Sequence, residues 1–406
     1  MRVLWINPSF LDYRVPVYRE LDRLLNGNLT VLYSQDRTPR RVCEKLEGYL
    51  GPRAIGLSHE RRLRFGHRDN DAANATITIP YQPGLLSRTF HTHADVIIAE
   101  GFFQWTPAAV MKALVQRSAL VVSYERTRHT ERNCPWWRTL YRKAVIPFVD
   151  AMLCNGSLCR EYAHSLGMPL DRIVTGGMAA DSLLFRTSSG MSTEQGRGAA
   201  RAARGLQSPV FLFAGRMTSA KGILQLVLGW RSYVESGGPG CLVMAGDGPM
   251  LPELKQFAND SSIPRLHFLG HIDYPQLPEV YALADVFIIA TLEDNWSLVV
   301  PEAMACGLPV ACSKYNGCWP ELIEEGGNGS VFDPLDSRDL LRCLRFFADR
   351  QKDLPRMGSR SREIEAQYRP EHAASSALKA CEIAMGRAQR WDWRRQLGIR
   401  GQTGKR

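Results

Sequence analysis

The chain has 406 residues, of which 45% are hydrophobic and 23% charged; that length is a soft prior for about two or three domains, and the apolar share excludes a disordered or collagen-like chain. Lysine and arginine exceed aspartate and glutamate by 51 to 41, but the excess is regional: residues 1–206 carry 28 basic and 18 acidic groups, residues 207–370 carry 15 and 20, and residues 371–406 carry 8 and 3. A nucleic-acid binder would hold a dense basic stripe on its recognition element, so with the second half acidic, nucleic acid is excluded as the main partner. None of the ten cysteines forms a C-x-x-C pair, which argues against a zinc ribbon or a redox dithiol and for buried thiols in a reducing compartment. Four apolar residues before Asn7 are too few for a signal-peptide core, and no stretch of 18 apolar residues occurs, so a cytoplasmic protein is expected.

Short apolar runs alternate with longer amphipathic segments, the pattern of parallel strands joined by crossover helices. In the first half the runs fall at Val3 to Asn7, Leu29 to Tyr33, Asp95 to Ala99, Leu120 to Tyr124, Ala151 to Asn155 and Ile173 to Thr175. The first runs into an aromatic, charged loop, Pro8 to Arg14, and the fourth into the densest polar cluster of this half, Glu125 to Arg132. Residues 187–208, rich in Ser, Gly, Ala and Arg, read as a linker. A second set follows at Pro209 to Ala214, Cys241 to Ala245, Leu266 to Leu269, Val286 to Ala290, Val310 to Ser313 and Ser330 to Phe332. Open parallel sheets must be covered on both faces, so the expected fold class is α/β: one doubly wound, Rossmann-like domain over 1–186, a second over 209–370, and a C-terminal helix with a basic tail over 371–406. A ligand is expected at the carboxyl ends of the strands, in the cleft between the domains.

The strand ending at Ala214 leads into Gly215-Arg216-Met217-Thr218-Ser219-Ala220-Lys221-Gly222. Glycine lets backbone approach a ligand closely, free N–H groups at a helix start favour an anion, and Arg216 and Lys221 add two charges; this suits a diphosphate leaving group. After Ala290 comes Thr291-Leu292-Glu293-Asp294-Asn295-Trp296-Ser297, then a helix carrying Glu302 and ending at Gly307, then a strand. Ser297 is the expected N-cap, and Asp294 and Glu302 are carboxylates placed to accept hydrogen bonds from sugar hydroxyls. The tail from Gly386 holds seven basic residues, one acid, and Trp391 and Trp393, a composition that suits a membrane interface or an acidic partner.

The G-R-x4-K-G loop, the Ala245 to Pro249 turn, Leu269-Gly270-His271 and the Glu302 to Val310 run, in that order, resemble glycosyltransferase family 4, the group 1 glycosyl transferases of GT-B fold; Gly177 to Phe185 is similar to the segment before that family's interdomain linker. The resemblance implies two Rossmann-like domains facing across a cleft, with a nucleotide-diphosphate sugar on the C-terminal one and a saccharide or lipid-linked acceptor on the N-terminal one. It implies hexosyl transfer with retention, in glycan or cell-surface polysaccharide biosynthesis, without a metal or other cofactor. Arg216 and Lys221, with Gly215, inherit the diphosphate; Glu302 inherits the ribose; Ser297 and Leu298 become phosphate donors through backbone N–H; Ile272 becomes a base contact. The family's sugar-binding Glu falls on Asp294, one methylene shorter, a departure that leaves a nucleotide-sugar hydrolase or epimerase as the alternative. Glu125 and His129 are the candidates for acceptor-side chemistry, with Glu100 third, and Tyr13 or Arg14 stands where it could touch an anionic acceptor. Asp69-Asn70-Asp71 matches the metal-binding D-x-D of another glycosyltransferase fold but reads as a solvated turn. Basic clusters at Arg37 to Arg68 and Arg126 to Lys143 are expected to face an anionic membrane, which would make the protein peripheral on the inner face. A nicotinamide-dependent oxidoreductase is excluded, because Asn7-Pro8-Ser9 stands where G-x-G-x-x-G would be needed.

Overall fold

A run such as Val3–Ile6, buried at every position, is satisfied only in a strand covered on both faces, and the chain repeats that solution throughout. The computed structural model describes residues 1–65, 77–187 and 194–388; Asp69-Asn70-Asp71 and the tail with Trp391 and Trp393 lie outside them. The first sheet contains β1 (Val3–Ile6), β2 (Leu29–Ser34), β3 (Ala54–Leu57), β6 (Val96–Glu100), β7 (Ala119–Tyr124), β8 (Ala151–Cys154) and β9 (Ile173–Thr175) in the order β3-β2-β1-β6-β7-β8-β9. An antiparallel hairpin, β4 (Arg61–Phe65) with β5 (Ile77–Tyr81), stands apart from it. The second sheet runs β12-β11-β10-β13-β14-β15, from β10 (Val210–Ala214), β11 (Cys241–Ala245), β12 (Leu266–Gly270), β13 (Val286–Ile289), β14 (Val310–Ser313) and β15 (Gly329–Phe332). Pairing within both sheets is parallel. Each strand expected from sequence is present within a residue or two. The edge strand β3 was not expected: Ala-Ile-Gly-Leu is short, half-buried and interrupted by Gly56.

Strand order reverses between β1 and β6 in one sheet and between β10 and β13 in the other. At such a point the loops at the strands' carboxyl ends diverge to opposite faces and leave a crevice. The chain thus builds two crevices, one floored by the ends of β1 and β6 and one by the ends of β10 and β13.

The segment expected as a linker contains a helix, Glu194–Ala202. It is pinned to the second domain, because Arg201 donates to the Leu283 carbonyl (2.9 Å) and pairs with Asp285 (2.9 Å), which Arg197 also contacts. Helix Pro370–Ala388 leaves the second domain and returns to the first. Its Ala374, Ala377, Ala380, Cys381 and Ala384, all buried, join Val3, Trp5 and Tyr18 in the core on one face of the first sheet. Small side chains at this spacing let it lie close to helix Arg14–Leu24. Ala377→Leu should overpack that contact and lower stability by about 1–3 kcal/mol, measurable by urea unfolding; an unchanged midpoint would show that the helix is not closely docked.

Candidate active site

The loops after β10 and β13 are stitched together by backbone. Leu292 N and Glu293 N both donate to the Ala220 carbonyl (2.8 and 3.2 Å), and Thr291 Oγ1 does so at 2.9 Å. Gly222, at φ +61, permits this approach, since a Cβ there would lie 1.9 Å from the Ala290 carbonyl oxygen. Gly215 N donates to Ala245 O (3.0 Å) and Met217 N to Asp247 O (2.8 Å), which seats the G-R-x4-K-G loop on the turn after β11. Arg216 is left exposed, with no salt bridge among the described residues, while Lys221 pairs with Asp294.

Asp294 is turned inward. Its Oδ2 accepts from Lys221 Nζ and from Ser297 Oγ, its Oδ1 accepts from Trp296 N (3.1 Å), and its carbonyl accepts from Gly317 N (3.0 Å). Ser297 is therefore not the N-cap that the sequence suggested: helix Val299–Ala305 starts behind Leu298 with no side-chain cap, because the Ser297 hydroxyl is engaged by Asp294. Ser297 N donates to Asn316 Oδ1 (3.3 Å), so that N–H, expected for phosphate, already has a partner. Leu298 is half-buried beside it.

Glu302 is buried, 5% exposed, and accepts from Tyr274 Oη (3.4 Å) and Tyr281 Oη (3.2 Å). Burial pushes its carboxyl up to about 8, although the two phenol hydrogen bonds pull it down. Ile272, two residues from Tyr274, is half-buried against the same core.

In the first domain the ends of β1, β6 and β7 floor a cavity of ≈ 1100 Å³. Arg14 lies at its base, 2% exposed; it donates to the Gly177 carbonyl (2.8 Å) and pairs with Glu100 (3.4 Å) and Glu125 (3.8 Å). Glu100 Oε1 also accepts from Trp5 Nε1 (2.9 Å) and Asn7 Nδ2 (3.2 Å), so Glu100 anchors the floor. Glu125 is about a third exposed at 36%; its pKa is raised by burial and by Glu100, opposed by Arg14 and Arg126, and raised further by Asp294 across the cleft. Tyr13 lines the cavity and packs against the second domain's core, and burial raises its phenol to about 12. Phe10 is buried in the first core. The far wall is Phe103, Trp137, Arg138, Tyr141 and Arg142, with Tyr141 stacked on Phe103 at 5.0 Å.

His129 does not reach into this cavity. Its Nε2 lies 2.8 Å from the Leu292 carbonyl, which it can bond only as an N–H donor, and its ring stacks on Tyr315 at 4.6 Å. Arg132 pairs with Glu293 (3.1 Å), and Ser157 N donates to Glu321. These contacts join the domains beside the cleft, which sets His129 at the domain junction and not among the residues lining the cavity. Sequence reasoning missed Asn316 and Glu321; the Asn316-Gly317 pair just past the end of β14 was the available turn signal.

Two α/β domains whose strands' carboxyl-end loops meet beside a cleft define the GT-B class. The structure superposes on that of HepE from Anabaena, solved in complex with UDP, with a TM-score of 0.73 over 94% of this chain and 100% of that one, at 16% identity. Residues 208–349 match the family described as Glycosyl transferases group 1. The chain thus has the GT-B fold, and its C-terminal half carries a glycosyl transferases group 1 domain. Sulfoquinovosyl transferase SQD2 of Arabidopsis thaliana is 27% identical over 193 residues, 47% of this chain and 36% of that relative. Alpha-D-kanosaminyltransferase of Streptomyces kanamyceticus is 26% identical over 297 residues, 71% of this chain and 74% of that one. The chain thus spans about a third of the first relative and about three-quarters of the second.

Glu302 holds its proton up to about 8 when folded, against an ordinary value of 4.5. Between those values the native state binds a proton that the unfolded chain has lost, so this group makes stability fall as pH rises from 4.5 toward about 8. Glu302→Gln should flatten that part of the profile in urea unfolding followed by tryptophan fluorescence; a slope as steep as wild type would assign it elsewhere.

Proposed function

We propose that the protein transfers a hexosyl residue from a nucleotide-diphosphate sugar, held on the second domain, to a saccharide or lipid-linked acceptor on the first, in glycan or cell-surface polysaccharide biosynthesis. The observation that carries this reading is the meeting of the Lys221 and Asp294 loops at the second switch point, where the loop after β7 of the first domain touches them through His129 and Arg132. Lys221 and Arg216 supply positive charge where the diphosphate gains negative charge as the glycosidic bond breaks. Asp294 fixes the Lys221 ammonium. Glu302 takes the ribose hydroxyls on the wall that Ile272 and Tyr274 continue toward the base, and Gly215 and Leu298 leave backbone close to the phosphates.

In a retaining course the acceptor attacks the face that the diphosphate leaves, and the departing phosphate takes the acceptor proton, so the protein's part is placement and charge stabilisation. The cationic side chains do the work that a metal would do elsewhere. Glu125, held by Arg14, is placed to accept from an acceptor hydroxyl, and Phe103, Trp137 and Tyr141 offer an apolar wall with Arg126, Arg138 and Arg142 beside it. This cavity suits an acceptor with an apolar portion and an anionic group. Such an enzyme would work in the cytoplasm, on the inner face of the membrane. No helix among the described residues is long and apolar enough to cross a membrane.

UDP-glucose, bound in another HepE structure, is the first donor to try. A ligand that binds the native state raises its melting temperature by mass action. The best donor in a thermal-shift screen of nucleotide sugars should lose its effect in Lys221→Ala and in Glu302→Ala; wild-type shifts in both would sink the assignment. Labelled donor with and without acceptor separates transfer from hydrolysis or epimerisation.

A further inference from the structure

Helices Thr106–Gln116 and Trp136–Val145 follow the neighbouring strands β6 and β7 and pack on the same face of the first sheet. Their inward sides reach the acceptor cavity through Pro107, Trp137, Tyr141 and Arg142. Their outward sides are apolar where solvent exposure would favour polar residues: Met111, Leu114 and Val115 (69% exposed) on the first, Trp136 (76%) and Leu140 (58%) on the second, and Phe148 just beyond it. These positions follow helical spacing, so each set forms one stripe. A monomer rarely exposes so many large apolar side chains together, and such a patch marks an interaction surface.

Charge selects the partner. Residues 101–124 and 132–149 contain no aspartate or glutamate, and neither do residues 82–94, whose helix Leu85–His91 borders this face. Exposed Arg88, Arg117 and Lys143 stand among the apolar stripes. A second copy of the chain would bring like charges together on this face, and the tail beyond residue 388 is itself basic. An anionic bilayer surface satisfies both features at once, taking apolar side chains between its headgroups and basic ones against its negative potential.

We propose that this two-helix face docks on an anionic membrane and sets the acceptor cavity against it. The proposal rests on the lipid-linked form of the acceptor reading above. Adjacent tryptophans illustrate the arrangement, with Trp136 facing outward and Trp137 lining the cavity. A lipid whose headgroup enters the cavity could then keep its tails in the bilayer.

The test is co-sedimentation of the full chain with vesicles of phosphatidylcholine alone and of phosphatidylcholine with phosphatidylglycerol at about 3:1. Wild type should sediment with the anionic vesicles only and be released as salt rises from about 0.1 to 1 M. Arg117→Glu with Lys143→Glu should lower partitioning about tenfold or more, and Trp136→Ser with Leu140→Ser should lower it comparably, both with wild-type melting temperatures because the sites are exposed. Leu335→Ser, at an exposed apolar position of the second domain, should bind as wild type does. Equal binding to neutral and anionic vesicles, or face variants that sediment like wild type, would overturn the proposal. So would a concentration-dependent dimer, without vesicle binding, that Trp136→Ser disperses. Donor-induced thermal shifts need no vesicles, so a failed docking surface and a failed transferase reading are told apart.

Discussion

The buried charge at Arg14 is the constraint on which the cavity of the first domain depends. Burial works against the guanidinium's charge, and the opposing fields of the Glu100 and Glu125 carboxylates outweigh it, so Arg14 stays ionised. A charge so placed is tolerated only when it is paired and hydrogen-bonded. Its partners come from the end of β6, the end of β7 and the Gly177 carbonyl beyond β9, so one side chain registers three stretches of backbone at the cavity floor. Glu100, which accepts from Trp5 and Asn7 as well, ties the same floor to β1.

The loops of the second domain are organised by backbone rather than by charge. Gly222 lets the two loops touch, and the Ala220 carbonyl receives bonds from three groups of the Thr291 to Glu293 segment. The Lys221 and Asp294 side chains meet where these bonds hold their loops together. A shorter acid at position 294 has its carboxylate occupied by Lys221 and Ser297, which fits a role in holding the lysine.

Sheet strands were legible because each is a short run of apolar residues between turn signals, and that signal is local. The edge strand β3 lacked it, since Gly56 and partial exposure remove the alternation or continuity that marks a strand. The linker's helix at Glu194–Ala202 was hidden by its glycines and small residues; only its arginine contacts to Asp285 and Leu283 reveal why it sits where it does. Within the site, motif spacing located the loops, but partners were beyond it. That Ser297 would bond Asp294 instead of capping, or that His129 would face the Leu292 carbonyl, depends on contacts across 163 residues in the latter case. Arg14 was expected beside Tyr13 where it could touch an anionic acceptor, and only the fold shows it enclosed and paired with Glu100.

The returning helix Pro370–Ala388 carries a consequence for how the molecule is made. Domains usually fold in the order in which they leave the ribosome. Here one face of the first sheet, with Val3, Trp5 and Val31, is completed by alanines encoded near the other end of the chain. The first domain to be synthesised is thus the last to be closed, and it must wait with apolar surface uncovered until the second has been built. Chain length ahead of that helix, rather than the strength of any local contact, sets how long the nascent protein depends on protection from aggregation.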